Sequence, residues 1–367
     1  MTTVVRRKLR AKERVIDNDS LVREYRLTPA KFRDQVQGDY TIFPVRRFDQ
    51  DTRPFLKWAG GKRQLLPQLG RFYPETFGRY FEPFLGSGAV FFDLFNQGRL
   101  TGKTATLTDE NSDLIGTYLR VRDSLEAIIE RLTILARQHA SRGRDYYYEI
   151  RDTWFNPARR EWRARGGGAD SYPVDLAAMM IYLNRTGYNG LFRLNQAGKF
   201  NVPAGRYSAP RIVDVGRLRS VSRILSDCAV EIREAPFDEA AMRAERGDLV
   251  YFDPPYAPLS RTASFRSYTS NGFSDENQRH LQTVILALAA REVSVLLSNS
   301  TAPCVLALYE SNREVTRAGL RCRRIPARRA INSRAEGRGV VEELLVTNVK
   351  PTPRNHETHE STKRTIK

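Results

Sequence analysis

The stretch Leu249-Val250-Tyr251-Phe252-Asp253-Pro254-Pro255-Tyr256 constrains this chain more than any other. Four apolar, strand-forming residues run without alternation and stop at a carboxylate. Such a run suits a strand covered on both faces, as in a parallel sheet flanked by helices. It delivers Asp253 to the carboxyl edge of that sheet, where ligands of open α/β folds bind. Pro254 and Pro255 hold the backbone away from helix and free their carbonyls from ladder duty. The Asp253 carboxylate and the Pro254 carbonyl then form a fixed cup of acceptors, with the Tyr256 ring as a flat wall. That cup suits a planar ring carrying an amino group, such as adenine. A strand that simply ends at a Pro-Pro turn would read the same, so the rest of the chain has to decide.

At 367 residues the chain holds two domains, or one core with a large insertion. Its formal charge of +18 favours a polyanionic partner, with a basic membrane-surface protein as the competing class. No apolar run reaches transmembrane length, and the basic start MTTVVRRKLRAKER lacks the apolar core of a secretory signal. Cys228, Cys304 and Cys322 show no metal or disulfide spacing, which suggests a reducing compartment. The expectation is therefore a cytoplasmic, DNA-associated monomer with no metal.

Residues 1–52 read as a basic extension, either a disordered arm or a small helical element. Phe55-Leu56-Lys57-Trp58-Ala59-Gly60-Gly61-Lys62 invites a phosphate-loop reading, but Leu56 and Arg63 stand where that motif needs Gly and Ser or Thr. A triphosphatase is excluded on that ground, while a tight turn cradling a ligand is not. Tyr80 to Gly88 runs from a short strand through Phe84, Gly86 and Gly88 into a helix over Ala89 to Phe95. Glycines there let backbone approach a ligand. Phe91 occupies the third glycine position of the dinucleotide fingerprint, so a smaller adenosine-bearing ligand fits better. The next strand ends at Asp109, where an acid can take ribose hydroxyls or cap the helix before Leu114.

From residue 118 to 226 the character changes to helical periods, then to arginines interleaved with aromatics, then to the loop Asn184-Arg185-Thr186-Gly187-Tyr188-Asn189-Gly190-Leu191-Phe192-Arg193. Cations, amides and an aromatic ring in one loop are the kit for reading base edges and filling space between bases; a solvated surface loop is the bland alternative. Strands resume near 230, 249, 293 and 340. Arg317 to Arg338 carries eight arginines against one acid, Glu336, and reads as a phosphate rail over a hairpin or as a soluble sheet edge. Residues 349–367 form a polar tail.

Five segments together, FLKWAGGK at 55–62, FEPFLGSGAVF at 81–91, TDENSDLI at 108–115, LNRTGYNGLFRLNQAGKFNVPAGRY at 183–207 and DPPYAPLSRTASF at 253–265, resemble the Dam-type adenine-N6 DNA methyltransferases. The resemblance covers roughly 53 to 348 in the family's order. It implies a Rossmann-like, seven-stranded, mostly parallel α/β sheet over 53–117 and 227–348, with a helical target-recognition insertion over 118–226. It implies S-adenosylmethionine as cofactor, held by Trp58, Lys62, the loop with Phe84, Gly86 and Gly88, Asp109 and Asp253. It makes Asp253, Pro254, Pro255 and Tyr256 the catalytic cup for a flipped adenine in double-stranded DNA. It also sets Lys57, Tyr188, Asn189, Arg193 and Arg206 against the DNA, with GATC as the expected site. Phe192 and Leu194 depart from the Cys and Tyr expected of the better-known GATC enzymes. Methyltransferases acting on RNA or protein glutamine, a DNA-binding pseudoenzyme and a structural nucleic-acid packer are the rival classes.

The charge generates one prediction at this level. Non-specific DNA affinity should fall with salt along a log–log slope of magnitude about 5 or more, by counterion release. Titrations from 50 to 300 mM salt (about that range) measure it, and a flat response contradicts the polyanion reading.

Overall fold

A computed structural model describes residues 52–58, 60–227, 229–256, 273–328 and 340–352. Residues 1–51, Ala59, Cys228, residues 257–272 after the DPPY stretch, residues 329–339 and residues 353–367 lie outside the described residues. Seven strands form one sheet: β1 (Tyr80–Glu82), β2 (Ala105–Asp109), β3 (Val230–Glu234), β4 (Leu249–Phe252), β5 (Ser294–Ser300), β6 (Arg321–Arg328) and β7 (Val340–Thr347). Their order is β3-β2-β1-β4-β5-β7-β6. The pairs among β1 to β5 are parallel, and β7 runs antiparallel between β5 and β6. The expected mostly parallel, seven-stranded α/β fold is what the chain adopts.

The apolar run of β4 is explained by its place. It lies between β1 and β5, and all four of its residues are buried. Side chains alternate across the sheet, so Leu249 and Tyr251 join one core while Val250 and Phe252 join the other. The first core includes Val90, Phe91 and Phe92 of α2 (Ala89–Asn96), which follows α1 (Leu66–Leu69) in the chain. Helices α8 (Phe237–Met242), α9 (Asp275–Ala290), α10 (Pro303–Tyr309) and α11 (Arg313–Arg317) contribute Phe237, Leu281, Ile285, Val305 and Val315 to the second. The carboxyl ends of β1, β2 and β4 therefore share one edge, with Glu82, Asp109 and Asp253 at or just past them.

A helical segment leaves the sheet after β2 and returns at β3. It comprises α3 (Ser112–Asp123), α4 (Leu125–Glu149), a π-helical stretch (Ile150–Phe155), α5 (Asn156–Ala164), α6 (Val174–Thr186) and α7 (Val215–Leu225). The expected boundary at 117/118 falls inside α3, whose Leu114, Ile115, Leu119 and Val121 all enter one core. Several residues of the arginine- and aromatic-rich stretch serve packing: Tyr146, Tyr147 and Phe155 are buried. Arg159 is spent on Asp113, its Nε lying 2.8 and 2.9 Å from the two carboxylate oxygens. Tyr172 donates its hydroxyl to the same carboxylate at 3.0 Å, and a second arginine nitrogen donates to the Gly198 carbonyl at 2.8 Å. This knot fastens α5 and the loop around Gly198 to α3.

Among the described residues no helix is long and apolar enough to cross a membrane. The arginine strand β6 is partly committed to carboxylates: Arg324 forks onto Glu310 at 2.7 and 2.8 Å and approaches Glu342 at 3.5 Å. Its charge is already matched, so it is a weak member of a phosphate rail.

Asp113→Ala should destabilise the chain by about 3–5 kcal/mol, because it strands the buried Arg159 guanidinium without a counter-charge. Denaturant unfolding followed by circular dichroism measures this, and a loss below about 1 kcal/mol, the range of an exposed pair, contradicts the knot's role.

Candidate active site

Asp253 stands one residue beyond β4, and what it meets there comes from distant parts of the chain. Gly60 adopts a left-handed φ of 79°, and the turn it makes leads into the 3-10 turn Lys62–Gln64. Lys62 is only 3% exposed, and its ammonium donates to the Gly60 carbonyl at 2.7 Å and to Asp253 Oδ1 at 2.8 Å. The same Nζ sits 4.5 Å from the centre of the Tyr256 ring and 3.8 Å from Glu343 Oε2. The Tyr256 hydroxyl donates to Glu343. Pro254 is buried and Pro255 exposed, so the turn closes the strand end with its second ring outward.

Burial raises the Asp253 carboxyl to about 6. The Lys62 charge and hydrogen bond pull it down, and the Glu343 charge pushes it up. Glu82, at the end of β1, is buried more completely. It accepts from Tyr80 at 2.8 Å and from the Phe91 amide at 3.2 Å, and burial lifts it to about 8, so it is largely neutral at physiological pH. Asp253 is ionised there, an acceptor held in place by a cation.

The glycine loop lies against Asp109. The Gly86 amide donates to Asp109 Oδ2 at 3.2 Å, and the Asn111 amide donates to Oδ1 at 3.0 Å. Burial raises Asp109 to about 6, opposed by these two backbone donors. The cap of α3 is Asn111, whose side chain accepts from Leu114, so the helix-capping alternative for Asp109 falls away. Each Asp109 oxygen accepts one backbone bond and keeps capacity for another. Gly86 has a left-handed φ of 48°, and a Cβ on it would lie 3.0 Å from Trp58 Cδ1. The loop thus presents bare backbone beside an indole face. Phe84 packs among Phe237, Phe252 and Phe273. An adenosine-bearing cofactor fits these residues: acceptors for hydroxyls, bare backbone, and aromatic walls.

The nucleic-acid candidates gather on the loop after α6. Asn184 is buried, accepts from the Lys57 amide at 2.9 Å, and donates to the carbonyls of Lys57 at 2.6 Å and Gly190 at 3.0 Å. Gly190 packs so closely that a Cβ there would lie 2.3 Å from Lys57 Cβ. Lys57 Nζ rests 4.1 Å over the Tyr207 ring. Tyr188 is 36% exposed and Asn189 holds a positive φ of 54°. Arg193 donates through Nε to Asn201 Oδ1 at 2.7 Å across a bridge between Leu194 and Phe200. Arg206 is exposed near Tyr207 in the chain. The structure therefore brings Lys57 to the Tyr188–Arg193 loop, and Phe192 stacks on Trp58 at 5.9 Å and 19°.

Two contributors escaped sequence reasoning. Glu343 lies 87 residues after Tyr256, on a strand whose apolar residues read as core. Asn201 reads as an ordinary loop amide, while Asn184, read as part of the base-reading loop, instead ties that loop to the Lys57 backbone. Among the described residues no cluster of three or more His, Cys, Asp or Glu could hold a metal ion.

Residues 58–321 match the family described as D12 class N6 adenine-specific DNA methyltransferase. The chain is 39% identical over 297 residues to the Type II methyltransferase M1.LlaDCHI of Lactococcus lactis subsp. cremoris, covering 81% of this chain and 95% of that protein. It is 36% identical over 309 residues to the Type II methyltransferase M.MjaIII of Methanocaldococcus jannaschii, covering 81% and 99%. It is 35% identical over 293 residues to the DNA adenine methylase of Escherichia coli strain K12, covering 80% and 94%.

Lys62→Met should raise the Asp253 carboxyl above about 6, because the neighbouring cation that favours its charged form is lost. Carboxyl 13C NMR on aspartate-labelled protein reads the midpoint; an unchanged or lower value contradicts the pair.

Proposed function

The chain belongs to the D12 class N6 adenine-specific DNA methyltransferases, and on that premise we propose that it methylates adenine within GATC in double-stranded DNA, using S-adenosylmethionine. The observation that carries the reading is the Lys62–Asp253 pair at the tip of β4, adjoining Pro254 and the Tyr256 ring. Trp58, the Phe84–Gly88 loop, Asp109 and Lys62 would hold the cofactor, which supplies an electrophilic methyl group.

The amino group of adenine is a poor nucleophile because its lone pair is shared with the ring. The Asp253 carboxylate and Pro254 carbonyl accept its two hydrogens and favour tetrahedral nitrogen, which localises the pair. Tyr256 offers the ring face not covered by Lys62 for stacking. These residues work by position and charge. An adenine stacked in the duplex cannot reach the cup, so the base flips out, and Tyr188 and Asn189 occupy or prop the space it leaves. Arg193 keeps Nε on the Asn201 side chain at 2.7 Å and one terminal nitrogen at 3.4 Å from the Asn201 carbonyl, and its remaining terminal N–H groups are offered to guanine O6 and N7, while Lys57 gives a second donor. Arg206 serves the backbone nearby. The protein acts as a monomer.

Unmodified genomic DNA treated with the protein and cofactor should resist a nuclease blocked by methylated GATC and yield to one that requires it. Methyl groups mapped to another sequence overturn the GATC assignment. Arg193→Ala should cost about 1–3 kcal/mol of discrimination at one base pair. A uniform loss of affinity on all DNA would instead assign Arg193 to phosphate.

A further inference from the structure

Glu342 and Glu343 are neighbours on β7 with different fates. Successive strand residues face opposite sides of a sheet. Glu342 approaches Arg324, a surface ion pair in which it is 53% exposed. Glu343 is 16% exposed and turns toward Lys62 and Tyr256. Its place follows from topology: β7 is antiparallel, so its first half lies at the carboxyl end of β5, with Glu343 opposite Ser300. The following residues, Leu344, Leu345 and Val346, are fully buried. A carboxylate in such surroundings costs stability unless it is paired, and both partners belong to the site.

We propose that Glu343 is a positioning residue for methyl transfer, its carboxylate anchoring the Tyr256 hydroxyl and sharing the Lys62 ammonium with Asp253, so that ring wall and acceptor cup hold one arrangement. The inference rests on the adenine-methylation reading above and adds a residue to it. Without the Tyr256 anchor the ring is free to turn away from the stacking position. Without the second carboxylate Lys62 belongs to Asp253 alone and competes with the amino hydrogens for its oxygens.

Among the described residues, the charged and titratable groups facing Asp253 are Lys62 from the first turn, Glu343 from β7, Glu82 from β1, Tyr251 from β4, and Tyr256 beyond it. Lys62 lowers the Asp253 carboxyl and Glu343 raises it. Removing the Glu343 charge therefore lowers the pH at which Asp253 ionises, and the acid limb of the rate moves down with it.

The test compares Glu343→Gln and Glu343→Ala with wild type. Gln retains an acceptor for Tyr256 without the charge; Ala loses both. With saturating cofactor and duplex, the single-turnover rate of Glu343→Ala should fall about tenfold or more, the effect of one charge-assisted hydrogen bond. Glu343→Gln should recover part of that loss and shift the acid limb below that of wild type. Equal losses in both variants with an unmoved limb would mark a merely structural residue and overturn the proposal, as would unchanged rates in both. Carboxyl 13C NMR of Asp253 in the protein alone separates the two readings. The midpoint must fall in Glu343→Gln whatever the substrate, whereas wild-type protein that transfers no methyl to DNA overturns the adenine reading itself.

Discussion

The pairing of Lys62 with Asp253 is the interaction on which the arrangement of the site depends. Burial pushes a carboxylate at the end of a buried strand toward its neutral form, and a neutral carboxyl is a poor acceptor for two amino hydrogens. The ammonium at 2.8 Å opposes that tendency, and it can do so because the turn at Gly60 places a nearly buried lysine above the strand tip. Cation and anion thus come from positions 191 residues apart, and each offsets the cost of burying the other's charge. Glu82, which has no cation beside it among the described residues, shows the contrast: burial takes it to about 8.

The sheet makes this convergence possible. Parallel strands put their carboxyl ends on one edge, so Glu82, Asp109 and Asp253 arrive together although they are far apart in sequence. The antiparallel β7 then adds Glu343 to the same edge from the far end of the chain. The helical segment between β2 and β3 is held together internally by Asp113–Arg159–Tyr172, and Asn184 ties it to the backbone of Lys57. This tie joins the loop of Tyr188 to the segment carrying Trp58 and Lys62. The Trp58–Phe192 stack lies in the same joint.

What was legible in the sequence was local. An unbroken apolar run before a carboxylate marked β4, a strand and glycine turn before an apolar helix marked β1 to α2, and the offset to Asp109 marked the end of β2. These signals survive because each is set by a few consecutive residues. The ambiguities that remained were settled by long-range contacts: Asn111, not Asp109, caps α3, since Asp109 is occupied by the Gly86 amide. Charge was the least readable quantity. Arg159 and Arg324 look like free cations in sequence, yet each has a carboxylate partner 46 and 14 residues away. Glu343 was illegible for the same reason, its partners being fixed by sheet topology alone.

On the proposed reading, this cup localises the lone pair on the amino nitrogen of adenine in DNA. The most direct measurement is mass spectrometry of nucleosides released from duplex DNA after one turnover with labelled cofactor, for wild type and Asp253→Ala side by side. Label should appear on N6-methyladenine with wild type and disappear in the variant while DNA binding persists. Label on cytosine or on the protein, or near-normal N6-methyladenine from Asp253→Ala, would contradict it.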